Sequence, residues 1–160
     1  MTEQVAWLAE PPEPAIPPLE IRIAGIPIPQ GSLRAFARNG KAWATSDNPR
    51  TRPWKAAVTA EAANAVQAAG LETPAYDRRP VAVAITFPLP RPKGHYGKRG
   101  LLPSAPKYPA TLPDLDKLVR AILDALTGIV WRDDAQVVAL EAYKRYSDEL
   151  VTIVEVSVAS

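Results

Sequence analysis

The chain contains no cysteine and only one histidine, His95, in 160 residues. Disulfide frameworks, thiolate zinc sites and cysteine nucleophiles are therefore excluded, as is a histidine-rich metal centre. A metal bound by this chain has to be held mainly by oxygen. Aromatic residues make up only 7% of the sequence, but the apolar fraction is 47%, enough for one core without staples. No apolar run approaches the roughly 18 to 20 residues that cross a bilayer. The start "MTEQVAWLAEPPEP" has neither the basic opening nor the apolar middle of a signal peptide. The expectation is a soluble, unexported protein with no membrane partner.

Proline is abundant, with 18 residues, and five of these fall in the first 18 positions. Such a segment neither pairs in a sheet nor forms a helix readily, so residues 1–18 read as a flexible tail and 19–160 as the domain. "LEIRIAGIPI" alternates Ile21, Ile23 and Ile26 in the manner of a strand with one buried face. The following segment, "PQGSLRAFARNGKAWATSDNPRTR", holds an Asn-Gly pair that suggests a loop or short hairpin around Asn39 and Gly40. From Pro53 to Ala69, apolar residues at helical spacing and the stop at Gly70 predict a helix. "PVAVAITFPL" predicts a second strand, and a long proline-rich basic loop follows over 88–112. Two β-rich runs, "AQVVALEAYKRY" and "LVTIVEVSV", are separated by "SDE" and predict a hairpin that closes the sheet.

The formal net charge is only +2, but it is unevenly spread. Residues 31–107 hold 13 Lys or Arg against 4 acids, and residues 113–160 hold 5 against 9. A basic surface beside an acidic cluster suits a protein that binds a polyanion and holds hard cations against it. Five of the acids are aspartates within "PDLDKLVRAILDALTGIVWRDD", residues 113–134.

Leu118, Val119, Ile122, Leu123 and Leu126 mark one face of a helix over 118–127. Pro113 favours extended backbone before it, so Leu112 to Leu115 are expected to be extended, with Asp116 at or near the N-cap. In that geometry Asp114 and Asp116 project together, while Arg120 and Asp124 lie on the same side at i,i+4 steps from Asp116. Taken alone, this is also an ordinary cap with an ion-pair partner. The second acidic pair, Asp133 and Asp134, raises the stakes. If "GIVWR" is extended, it can span roughly the 18 Å rise of the helix and return that pair to the first. Converging carboxylates repel one another, and a hard divalent cation relieves that repulsion. A carboxylate-held pair of Mg²⁺ ions can activate water and clamp a phosphate, with Arg120 and Lys117 stabilising charge.

The run "PDLDKLVRAILDALTGIVWRDDAQVV", followed by a strand ending in "KRY", resembles the RusA family of Holliday junction resolvases. The D-x-D, the helical "DAL" and the later "DDxQ" carry the resemblance over residues 113–146, and "GIPIPQGSLR" and the helix at 53–69 fit more loosely. The resemblance implies an α/β (α+β) fold with a small mixed sheet and two main helices, forming a homodimer. It also implies Mg²⁺-dependent cutting of four-way DNA junctions by paired symmetric nicks in the cytoplasm, with Mn²⁺ as a substitute metal and no organic cofactor. The family's metal-binding carboxylates fall on Asp114, Asp116 and Asp134. Only one of the adjacent Asp133 and Asp134 is expected to enter the site, because neighbouring strand residues face opposite ways. Where the family usually has asparagine after its D-x-D and lysine three residues on, this chain has Lys117 and Arg120. Arg120 keeps the charge but does not give up a proton.

Arg34, Arg38, Lys41, Arg50, Arg52 and Lys55 surround the first loop, and Arg91, Lys93, Lys98, Arg99 and Lys107 line the second. With Lys117, these are the candidate phosphate contacts. Trp43, Tyr96 and Tyr108 are candidates to stack on bases, whereas Trp131 reads as core and His95 as at most a phosphate contact. Two other readings compete with the nuclease: a non-catalytic branched-DNA-binding protein, and an enzyme whose D-x-D holds a metal-bound sugar nucleotide. The second fits poorly, because "KYPATLP" before the motif is not an apolar strand.

Overall fold

The computed structural model describes residues 13, 15–46 and 48–160, with the side chains at 33, 34, 45 and 46 also outside the description. Most of the expected tail, residues 1–12 and 14, therefore lies outside the described residues. Its last stretch lies against the domain: Ile16 packs on the core, the carbonyl of Pro17 accepts a hydrogen bond from the Tyr76 hydroxyl at 3.0 Å, and Glu13 pairs with Arg79.

The domain is α+β. Four strands form a mixed sheet in the order β1 (Leu19–Ala24), β8 (Val151–Val158), β4 (Val81–Leu89), β7 (Val137–Tyr146). β8 runs antiparallel to β1 and β4, and β7 runs parallel to β4. Two helices, α1 (Thr51–Ala68) and α2 (Leu115–Leu126), pack on one face. Leu19, Ile21 and Ile23 of β1 and Val81, Val83, Ile85 and Phe87 of β4 point into that layer. They meet Trp54, Val58, Ala62 and Val66 of α1, spaced by four as one face of a helix requires, and Leu118, Ile122 and Leu126 of α2. The opposite face of the sheet carries the exposed Glu20, Arg22, Glu141 and Glu155. A separate two-stranded ribbon, β2 (Leu33–Arg38) and β3 (Lys41–Ser46), stands beside this sandwich, and the long basic loop contains the two-residue strands β5 (Tyr96–Gly97) and β6 (Gly100–Leu101).

The expected closing hairpin does not form. β7 and β8 are consecutive in sequence, but β4 lies between them. The burial patterns give the reason: every residue of β4 is buried or half-covered, whereas β7 is exposed from Val138 through Glu141. The more apolar strand takes the centre, and the strand with more exposed positions takes the edge. Ser147 N–H bonds the carbonyl of Leu89 at 3.0 Å, where the chain crosses the end of β4.

Among the described residues no helix is long and apolar enough to cross a membrane.

Candidate functional site

Asp114 is the N-cap residue of α2, with extended backbone at φ −68° and ψ 134°, and its carboxylate makes no capping hydrogen bond. The expectation of extended chain through Leu115 is therefore corrected: the helix starts at Leu115, capped two residues before Asp116, which already lies in its first turn, so the extended geometry that would project the two carboxylates together is absent. Leu118 N–H reaching the carbonyl of Asp114 at 3.1 Å closes that turn early. Both carboxylates still stand at the helix start, where the positive end of the helix dipole favours them. Lys117 Nζ lies 3.5 Å from Asp114 Oδ2. Asp116 and Arg120 are exposed and form no ion pair or hydrogen bond with any described residue. Asp124 pairs with Lys55 at 3.3 Å, so the i,i+4 ion pair with Arg120 that belongs to the ordinary-cap reading is not made.

The helix start is held from two sides. Lys144, near the end of β7, donates to the carbonyls of Thr111 and Pro113 at 2.7 and 3.0 Å. On the other side, Gln30 N–H bonds the carbonyl of Lys117 at 3.0 Å, and Thr51 Oγ1 donates to the carbonyl of Pro29 at 2.8 Å. The loop after β1 is thus clamped between the two helices. Two concavities of about 410 Å³ open along it. One is lined by Gln30, Ser32, Asn48, Arg50, Asp114 and Lys117 among others, and the second by Gln30, Ser32, Asp116, Lys117, Arg120 and Asp124. Lys144, Gln30, Ser32 and Asn48 were not singled out from the sequence. The "KRY" that ends β7 and the "PQGS" after β1 were the available signals.

The second acidic pair is elsewhere. "GIVWR" does not extend: Ile129 and Val130 N–H both return to the carbonyl of Leu126, at 3.1 and 2.9 Å, and Gly128 N–H bonds the carbonyl of Trp131 at 2.7 Å. Trp131, fully buried as expected, anchors this coil by donating from Nε1 to Thr127 Oγ1 at 3.2 Å. Asp133 and Asp134 therefore follow a coil at the C-terminal end of α2, and the helix itself rises about 18 Å from its N-cap at Asp114. Among the described residues no three of His, Asp or Glu come together to hold a metal. The expected convergence of the two pairs does not occur within one protomer.

The two adjacent aspartates have different environments. Asp133 caps a single 3₁₀ turn, Asp134–Gln136, accepting from Ala135 N–H at 2.8 Å, while Gln136 Oε1 accepts from Asp133 N–H at 3.1 Å. "DDAQ" is thus a capping box, and Gln136 also donates to the carbonyl of Arg79 at 2.8 Å. Asp134 is exposed and has no described partner.

The basic candidates also divide. Lys93, Lys98 and Arg99 are exposed, the last two forming the turn between β5 and β6. Arg91 is half-buried: its guanidinium lies 4.2 Å from the centre of the Tyr146 ring and donates to the carbonyl of Pro106 at 2.6 Å, and His95 meets the same ring edge-on. This cluster pins the long loop to the end of β7. Arg38 and Lys41 are exposed at the tip of the β2–β3 ribbon, while the side chain of Arg34 lies outside the described residues. Lys55 is engaged by Gln30 and Asp124.

A two-layer α+β domain with exposed acids at a helix start, bordered by basic loops, defines the class. The sequence model of the family described as "Endodeoxyribonuclease RusA" matches residues 25–158. The chain belongs to the RusA endodeoxyribonuclease family. It is also 30% identical over 134 residues to "Uncharacterized protein YqaN" of Bacillus subtilis (strain 168), an alignment covering 82% of this chain and 89% of the relative.

Proposed function

We propose that the protein is a Mg²⁺-dependent, structure-selective endodeoxyribonuclease that nicks four-way junctions and related branched DNA as a two-fold dimer. The observation that carries this reading is the exposed pair Asp114 and Asp116, uncommitted to capping, at the rim of concavities that also contain Lys117 and Arg120. Their oxygen donors suit Mg²⁺, which is commonly held by one or two carboxylates and completed by water and substrate phosphate. The bound ion would supply an activated water and neutralise charge on the phosphate. Around it, Arg120 attracts and orients the scissile phosphate without a proton to exchange, and Lys117 moves from Asp114 to the substrate. Exposed Lys98, Arg99, Arg38 and Lys41 hold flanking phosphates.

The separation of the acidic pairs supports a dimer. A two-fold axis near the middle of α2 would set Asp134 of the partner subunit beside Asp114 and Asp116, completing a site that one protomer leaves with two carboxylates. Val138 and Leu140, 63% and 44% exposed on the edge strand β7, are apolar surface that such a partner would cover. A four-way junction shares the two-fold symmetry, so equivalent sites face opposite strands.

The test is a nicking assay on an end-labelled synthetic four-way junction, run beside a gel-shift assay. Paired nicks with Mg²⁺, lost in Asp116→Asn while binding persists, are expected. Unchanged nicking by that variant would refute the site. A non-catalytic branched-DNA-binding protein is favoured by the lack of a three-carboxylate group among the described residues, and binding without nicking by the wild-type chain would establish it.

A further inference from the structure

The β2–β3 ribbon turns through Asn39 and Gly40, both with positive φ (52° and 72°), as a two-residue hairpin with the native strand twist requires. Among the described residues it pairs with no other strand, and its described side chains, 35 through 44, are all exposed. A lone two-stranded ribbon is marginal in water, so large aromatics on it call for a reason beyond its own stability.

The register supplies that reason. Phe36 stands opposite Trp43, and Arg38 opposite Lys41. Strand residues two apart share a face, so both aromatics and both tip cations lie on one side. Ala35, Ala37, Ala42 and Ala44 occupy the other side, and no acid occurs in residues 33–46. The two rings stack with centroids 6.2 Å apart and planes 28° apart, yet Phe36 and Trp43 remain 45% and 49% exposed and outside the core. Both feet of the ribbon stand in the candidate site: Gln30 and Ser32 precede it, Asn48 and Arg50 follow it, and all four line the concavity that holds Asp114.

We infer that this ribbon is a base-stacking platform: Phe36 and Trp43 receive unpaired bases at the branch point, and Arg38 and Lys41 hold the phosphates beside them. Aromatic faces interleaved with cations fit single-stranded nucleic acid, because every base has a π-face and every nucleotide a charge. Intact duplex hides its base faces in the stack, so the platform discriminates branch from duplex without reading sequence. The inference rests on the branched-DNA reading above and adds the element that recognises the branch.

The test places 2-aminopurine at the branch point of a four-way junction, in Ca²⁺ buffer, and compares the wild-type full chain with the double variant Phe36→Val, Trp43→Val. Valine keeps strand propensity and removes the ring. The wild-type chain should quench the probe. The double variant should lose the quench and bind the junction roughly ten- to a hundred-fold more weakly, with plain-duplex binding unchanged. Trp43→Phe, which keeps a ring, should retain both signals and thereby exclude a collapsed ribbon as the cause. Equal quenching and equal junction preference in the double variant overturn the platform while leaving the nuclease intact. A wild-type chain with no preference for junction over duplex overturns both.

Discussion

Lys144 donates to the carbonyl of Pro113 at 3.0 Å, so the end of β7 fixes the residue directly before Asp114. With the second bond to Thr111 at 2.7 Å, one ammonium anchors the approach to α2. Lys144→Met keeps the alkyl stem and removes both donors. The variant should fold and bind junction DNA, but nick it about ten- to a hundred-fold more slowly, because small displacements of catalytic groups are costly. Single-turnover nicking at saturating protein checks this, and an unchanged rate would show that the anchor is dispensable.

The two aspartates of "DDAQ" should separate by phenotype. Asp133→Ala removes the side chain that accepts from Ala135 N–H and should cost about 1 kcal/mol, lowering the melting temperature by about 2 to 4 °C. Asp134→Asn touches no described partner and should leave the melting temperature alone while reducing nicking by about a hundred-fold or more. Thermal melting and nicking on the same preparations give both numbers, and the reverse pattern would exchange the roles of the two residues.

If the site is shared between subunits, two dead variants should rescue each other. Asp116→Asn and Asp134→Asn, unfolded together and refolded as a mixture, give mixed dimers in which one site carries both changes and the other carries neither. About half the dimers are mixed and half their sites intact, so about a quarter of the wild-type nicking rate should return. No recovery would place each site within a single protomer.

Arg99 and Arg91 should also differ. Arg99→Ala should weaken junction binding and lower the slope of log affinity against log salt by about one, as loss of a single phosphate contact does. Arg91→Ala should instead release the loop, which it ties to the Tyr146 ring and closes on itself at the Pro106 carbonyl, seen as faster proteolysis over 92–110. Proteolysis unchanged by the Arg91 change would mean that the cation–ring contact does not restrain the loop.

Elements defined by short-range periodicity were legible in the sequence. The alternation of Ile21 and Ile23 in β1, the four-residue spacing of α1 and the Asn-Gly turn at 39–40 each specify local geometry that packing then confirms, whereas Ile26, expected on the same buried face, lies beyond the strand and is exposed. Strand order was not legible. The "SDE" segment has the length of a hairpin loop, and only the competition between β4 and β7 for the centre of the sheet decides that it crosses β4 instead. The same limit applies to the site. Asp114 and Asp116 were found because their spacing from each other and from the helix is local. The position of Asp134 depended on whether "GIVWR" extends or coils, and that is decided by the burial of Trp131 and by hydrogen bonds from Ala75 and Tyr76 to the carbonyls of Ile129 and Val130. Gln136 belongs to the "DDxQ" motif in sequence, but its role as a brace for the turn depends on the backbone that brings its side chain to the Asp133 N–H.

The reciprocal cap at Asp133 and Gln136 also sets how much free charge the turn offers. One of the two neighbouring carboxylates, though exposed, has an oxygen committed to the amides of its own turn, so only the carboxylate of Asp134 has both oxygens free for an approaching cation. Likewise, a change at 133 would be felt first in how the turn is shaped, and a change at 134 first in what it attracts.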